Sequence, residues 1–348
     1  MRAISIVPGT AGSVRLDEVP DPPLSDGPVL ARTLAVGVCG TDIDLVAGSY
    51  GWAAEGRERL VIGHESLARV EEAPPECGLK PGDHIVGIVR RPDPVPCPNC
   101  AVGEWDMCRN GAYTERGIKG RDGYASDRFR IRPEYAVPVD PSLGLAGVLL
   151  EPASVVAKAW EHVVRIGRRA VWEPRRALVT GAGPVGLLAA MLGVQRGLEV
   201  HVFDRVTDGP KPALVRDLGA VYHSGDLRAA RIAADVVIEC TGASGVILDV
   251  IGATAAAGIV CLAGVSSGGR SIGIDLGRIN RAMVLENDVV FGSVNANRRH
   301  YDLAARGLAK ADRDWLHRIV SRRVPVTRWA EAFVRKPDDV KVVIQFED

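Results

Sequence analysis

Over about the first 150 residues the apolar positions come in short runs: Val36-Gly37-Val38, Leu67-Ala68-Arg69-Val70 and His84-Ile85-Val86-Gly87-Ile88-Val89. Pro20, Pro22, Pro23, Pro28, Pro74, Pro75 and Pro81 punctuate them. Short apolar runs bounded by Pro and Gly predict strands joined by turns. Lys80-Pro81-Gly82-Asp83 predicts a tight turn leading into one of those strands. From about residue 152 the pattern changes. An apolar helical segment over Ser154–Val164 precedes a strand at Ala177–Thr180, a Gly-rich turn and a helix from Pro184 to Gln195. The alternation continues with a strand (Glu199–Asp204), a helix (Pro212–Leu218), a strand (Asp235–Glu239), a helix (Val246–Ala256) and strands at Gly258–Ala263 and Asp288–Val294. Such βα alternation implies a parallel sheet with right-handed crossovers. Helical segments at Tyr301–Ala309, Trp315–Val320 and Arg328–Val334 and a strand at Val340–Phe346 close the chain.

Length and composition narrow the function. At 348 residues, two domains are the expected division. Lys plus Arg and Asp plus Glu are both 43, so no basic field exists to attract nucleic acid or an anionic membrane. No uninterrupted apolar stretch approaches the ~20 residues that span a bilayer, and the first residues lack the apolar core of a signal peptide. Seven cysteines, with Cys39, Cys97, Cys100 and Cys108 in polar or Gly/Pro-rich contexts, read as metal ligation in a reducing compartment rather than as disulfides. A cytoplasmic location is expected.

The turn Gly181-Ala182-Gly183-Pro184-Val185-Gly186 follows a strand, opens a helix and is followed by Asp204, 23 positions after Gly181. In such a dinucleotide turn the first glycine allows the bend, the second lets the backbone approach the pyrophosphate, and the third lets helix and strand pack closely. The helix N-terminus offers free N–H groups to the phosphates. Asp204 at the strand end can accept the ribose hydroxyls of NAD and would repel the 2′-phosphate of NADP. Arg205 beside it could bind that phosphate, so NAD is expected with NADP use left open.

Cys39 in Val38-Cys39-Gly40-Thr41-Asp42, the pair in Gly63-His64-Glu65, and Glu151 offer a thiolate, an imidazole and carboxylates, a donor set that suits Zn²⁺. Each alone reads as easily as a buried thiol, a core histidine or a solvated acid; their joint occurrence beside Gly or Pro points to a metal. A second set, Cys97-x2-Cys100-x7-Cys108, is incomplete, with three thiols where a structural zinc takes four ligands. Asp93, or less readily Asp106, could complete a structural zinc site; a metal-free lobe with three thiols is the alternative. Cys77, Cys240 and Cys261 read as structural.

These motifs, together with Pro81-Gly82-Asp83 and in this order, resemble the zinc-containing medium-chain dehydrogenases over essentially the whole chain. The resemblance implies an α/β fold: a GroES-like β-rich catalytic domain (1–151 and 296–348) plus a Rossmann doubly wound parallel-sheet coenzyme domain (152–295), with a cleft between them for zinc and nicotinamide. Tyr113-Thr114-Glu115-Arg116-Gly117-Ile118, Asp122-Gly123-Tyr124-Ala125, Leu150-Glu151-Pro152-Ala153-Ser154-Val155-Val156 and Gly292-Ser293-Val294-Asn295-Ala296-Asn297 resemble the glucose 1-dehydrogenase branch. That branch implies zinc ligation by Cys39, His64 and Glu65, with Glu151 ligating directly or through water. It also implies sugar contacts from Thr41, Glu115, Glu151 and Asn295. Gly181, Gly183, Pro184, Val185, Gly186, Asp204, Arg205, Thr241, Val265 and Asn295 are the expected coenzyme residues. A homodimer or homotetramer is expected.

The implied reaction is hydride transfer from a sugar carbon to NAD or NADP, with glucose C1 giving the lactone. The released proton leaves either through Thr41 or through Glu151 and water, and Asp42 orients a neighbour of the zinc ligands. A polyol, amino-alcohol or aminocyclitol dehydrogenase is the alternative on the same scaffold. A non-catalytic binding protein or a zinc-free reductase is disfavoured, since none of the residues expected to ligate the catalytic zinc is missing. Arg90-Arg91 reads as a solvated basic pair on a loop, with an anionic sugar as the rival reading.

Overall fold

The structure, a computed structural model, describes residues 1–266 and 273–347. The chain divides into two compact units, Met1–Ser154 with Asn295–Asp348, and Val155–Val294.

In the first unit the ten-residue strand Val29–Val38 is the centre of a seven-stranded sheet. Antiparallel Glu65–Glu72 flanks it on one side, and Lys341–Gln345, also antiparallel, on the other. His84–Gly87 and Ala136–Val139 extend the first side, and Val320–Pro325 extends the second by parallel pairing with Lys341–Gln345. The inward positions of these strands, among them Val29, Ala31, Val36, Ala68, Val70, Ile85 and Ile344, join Ile4, Ile6, Leu60, Tyr124 and Phe129 in one core. The register matters for function. Gly37 lies opposite Glu65 and Val38 opposite Val342. The residues just beyond these pairs, Cys39, His64 and Lys341, are therefore brought to one end of the sheet from three distant parts of the sequence.

The second unit is a six-stranded, all-parallel sheet in the order Val221–His223, Glu199–Phe203, Arg176–Thr180, Ala234–Glu239, Thr254–Leu262, Val289–Gly292. Numbered along the chain this is the order 3-2-1-4-5-6 of a dinucleotide-binding fold. Its strands are nearly continuous apolar runs because helices cover a parallel sheet on both faces. Helix Pro184–Val194 is buried from Gly186 to Gly193.

Four elements differ from the sequence expectation. The helix expected over Val246–Ala256 is Ser244–Val250, and the next strand already begins at Thr254. Gly252, at φ 84°, takes the chain out of the helix between them. Strand Val221–His223 is too short and too exposed to show alternation. Helix Leu276–Glu286 buries none of its residues: its apolar positions Leu276, Ile279 and Met283, at helical spacing, stay exposed or half-buried, and Asp275 caps it through the Arg278 N–H. The expected helix at Arg328–Val334 is 3₁₀ turns over Val326–Phe333 with a kink at Arg328. Pro141–Gly167 is one described segment with the length and hydropathy of a membrane span, but most of it is buried within the protein.

Candidate active site

The metal-ligand candidates converge in the first unit. Cys39 sits where strand Val29–Val38 gives way to helix Gly40–Val46. Its Sγ lies 3.1 Å from His64 Nε2, and the Glu65 carboxylate comes within 4.8 Å of both donor atoms. Asp42 closes the first turn of the helix by accepting the Cys39 N–H at 2.9 Å through Oδ2, while its Oδ1 lies 3.5 Å from His64 Nδ1. That contact faces Nδ1 toward a carboxylate and leaves Nε2 for the site, the arrangement by which an acid orients a metal-binding imidazole. Burial pushes the Cys39 thiol above its ordinary value. Burial works against the His64 cation, but Cys39 and Asp42 outweigh it and hold its pKa well above the usual imidazole range. A bound dication would favour the thiolate at Cys39, and the S/N/O donors fit zinc.

Glu65 reaches its place through a gap. It lies opposite Gly37, and a Cβ on Gly37 would stand 2.1 Å from Glu65 Oε2. Because Gly37 has none, the carboxylate crosses the central strand and meets Lys341 Nζ at 2.5 Å on the far side. Both side chains are buried, at 1% and 3% exposure. Burial opposes the Lys341 charge, but Glu65 and Cys39 raise its pKa nonetheless. Sequence reasoning missed this lysine.

Glu151, on the first turn of helix Leu150–Gly167, does not join the three converging donors. Burial, with added repulsion from Glu65 and Asp42, lifts its carboxyl to about 7 despite the opposing pull of His64 and Lys341. Thr41 is half-buried on the first turn of Gly40–Val46.

Beside them runs the short strand Thr114–Arg116. A Cβ on Gly117 would lie 2.6 Å from the Gly63 carbonyl oxygen, so this segment passes close to the residue before His64. Glu115 Oε1 accepts from Arg90 Nε and Nη2 at 3.1 and 3.0 Å and from Asn295 Nδ2 at 2.6 Å. Its Oε2 takes no partner among the described residues. The expectation of a solvated Arg90-Arg91 pair is corrected. Both are buried, at 5% and 8%; Arg90 pairs with Glu115 and lies over the Tyr113 ring, while Arg91 donates to the Ile88 carbonyl and stacks on Tyr135. Cross-strand pairing of Arg90 with Glu115 explains the burial, and no pattern local to residue 90 announces it.

Cys97, Cys100 and Cys108 converge within 4.8 Å, without Asp93. The Asp93 carboxylate instead accepts the Val95 N–H at 2.8 Å, and Asp106 accepts from Asn297 Nδ2 at 2.7 Å. The Arg109 N–H, 3.4 Å from Cys97 Sγ, leads a set of donors that pull that thiol down to about 6.

In the second unit the Gly-rich turn has the shape its spacing implies. Gly181 adopts φ 90°, and a Cβ on Gly186 would stand 1.7 Å from the Gly181 carbonyl oxygen. A Cβ on Gly183 would meet nothing within 4 Å, so the space in front of it can take a phosphate. Pro184 and Val185 open the helix. Asp204 is buried and Arg205 exposed beside it; Thr241 and Val265 are exposed beyond their strands. Buried Glu239, which sequence reasoning missed, accepts from the Thr241 and Gly242 N–H groups and ties that loop to the sheet. Asn295, expected at both coenzyme and sugar, belongs to the first unit and contacts Glu115.

A soft-donor metal site and a dinucleotide turn of this topology define a zinc-type, nicotinamide-linked oxidoreductase. Residues 25–141 match the alcohol dehydrogenase GroES-like domain family, and residues 144–346 match the family described as glucose dehydrogenase C-terminus. A glucose 1-dehydrogenase of Methanocella arvoryzae is 40% identical over 99% of both chains, and one of Caldivirga maquilingensis is 38% identical over 99% of both. The solved glucose dehydrogenase of Haloferax mediterranei, in complex with NADP, Zn and gluconolactone, is 32% identical and covers 100% of both chains with a TM-score of 0.92. The chain belongs to the zinc-containing medium-chain dehydrogenases, in their glucose dehydrogenase branch.

Proposed function

We propose that this chain oxidises the C1 hydroxyl of glucose in its ring form, giving the lactone and reducing NAD or NADP. The observation that carries the reading is the pairing of the Cys39, His64 and Glu65 donors with a buried carboxylate, Glu115, whose Oε2 is open to accept a sugar hydroxyl. A polyhydroxylated substrate needs such acceptors to replace the water it loses.

Cys39, His64 and Glu65 would hold the zinc and Gly181–Gly186 the nicotinamide coenzyme; when bound, the first supplies Lewis acidity at the substrate oxygen and the second a hydride acceptor. Asp42 fixes the His64 ring. Arg90 and Asn295 hold Glu115 Oε1, so that Oε2 faces the sugar. Because the Arg90 charge is paired with Glu115, the site favours a neutral sugar over a phosphorylated one. The released proton would leave through buried Glu151 and water or through Thr41. The trio Cys97, Cys100 and Cys108 would hold a second zinc through three thiolates. The seven free cysteines support a cytoplasmic location. Assembly as a homodimer or homotetramer is supported by the sheet-edge strand Val289–Gly292 and by exposed Leu276, Val284 and Leu285.

Initial rates with NAD and with NADP against glucose, galactose, xylose, sorbitol, threonine and inositol, with and without a chelator, test the reading. Chelator-sensitive oxidation of glucose is expected. Turnover of sorbitol, threonine or inositol with glucose inert would replace glucose by the alternative substrates. Metal analysis giving two zinc ions per chain is the outcome expected for the thiolate trio, and one ion would exclude it.

A further inference from the structure

The end of strand Glu199–Phe203 holds a carboxylate more heavily occupied than a ribose acceptor should be. Asp204 Oδ1 accepts the Val206 N–H at 3.1 Å, and Oδ2 accepts the Ala182 N–H at 2.7 Å. Oδ2 also faces Lys211 Nζ at 3.4 Å, from the first turn of helix Pro210–Asp217. An ionised carboxylate offers about four acceptor positions, and the protein already fills three. Two donors are backbone amides fixed by the turn. The third sits on a flexible stem, with 20% of the Lys211 side chain exposed.

We infer that Lys211 sets the choice between NAD and NADP by alternating between two partners. With NAD, a ribose hydroxyl takes the position at Asp204 and the ammonium moves aside. With NADP, the ammonium stays, cancels the Asp204 charge and faces the 2′-phosphate, which Asp204 alone would repel. The chain therefore accepts both coenzymes, with Lys211 rather than Arg205 as the group that admits the phosphate. This rests on the nucleotide reading of the Gly181–Gly186 turn.

The test is direct titration of the full chain with NAD and NADP by calorimetry, which needs no turnover. Lys211→Met is expected to weaken NADP by about tenfold or more while NAD changes by less than about threefold or tightens. Lys211→Arg, which keeps the charge, is expected to retain NADP, and Arg205→Ala to weaken it less than Lys211→Met does. Equal weakening of both coenzymes in Lys211→Met, unchanged NADP binding, or NADP loss confined to Arg205→Ala would overturn the inference. A wild-type chain that binds neither coenzyme would overturn the nucleotide reading and this inference with it.

Discussion

Replacing Lys341 by Met isolates one buried charge pair. The Lys341 ammonium lies 2.5 Å from Glu65 Oε2, with 1% and 3% of the two side chains exposed, and its other acceptor is the Val38 carbonyl at 3.3 Å. Met preserves most of the stem, and volume-conserving swaps in a core cost under about 1.5 kcal/mol. What remains is a carboxylate with its counter-charge removed, and breaking a buried pair from one side costs about 3–5 kcal/mol. A loss in that range is expected for Lys341→Met in the zinc-stripped protein, measured by urea unfolding followed through tryptophan fluorescence. The double variant Lys341→Met/Glu65→Gln, which buries no uncompensated charge, should recover at least half of it. Zinc added to Lys341→Met should also recover part, because a dication held by Cys39 and His64 replaces the missing ammonium. A loss below about 1 kcal/mol, or no recovery in the double variant, would refute the view that Lys341 serves as the buried counter-charge of Glu65 across Gly37.

Gly186→Ala places a Cβ 1.7 Å from the Gly181 carbonyl oxygen, so the turn must open; a stability loss of about 1–3 kcal/mol and loss of coenzyme binding are expected by unfolding and titration. Asp339 and Arg322 form a two-bond pair, Nε–Oδ1 at 2.8 Å and Nη2–Oδ2 at 2.7 Å, at the edge of the first unit's sheet. Hydrogen bonding from Arg322 holds the Asp339 carboxyl below its ordinary 3.8, so its stabilisation is present above that value and lost as pH falls through the lower folded one. Asp339→Asn is expected to cost about 1.5–3 kcal/mol near pH 7, with the gap to wild type closing as pH falls below about 4; a gap independent of pH would show that the pair is not what stabilises this edge.

Local chemistry was legible in the residues themselves. Gly181, Gly183 and Gly186 could be read because a turn of a few residues carries its own steric requirements, and Cys39 and His64-Glu65 because their flanking glycines mark strand ends. The βα alternation of the coenzyme unit followed from apolar runs of the right length. Leu276–Glu286 was missed although Leu276, Ile279 and Met283 follow a helical spacing, because Gly277, Arg278, Asn280 and Arg281 between them leave no apolar run to notice. Asp93 looked like a ligand by proximity in sequence, whereas its carboxylate turns to the Val95 amide.

The chain by itself determined which donors and which nucleotide turn are present, since both depend on residue type and spacing over a few positions. Only the tertiary structure decided their partners. Lys341 meets Glu65 across 276 positions, Asn295 meets Glu115 across 180, and Arg90 is buried rather than solvated. Sheet register sets these pairings, and register is fixed by the packing of whole strand faces rather than by any local run of sequence.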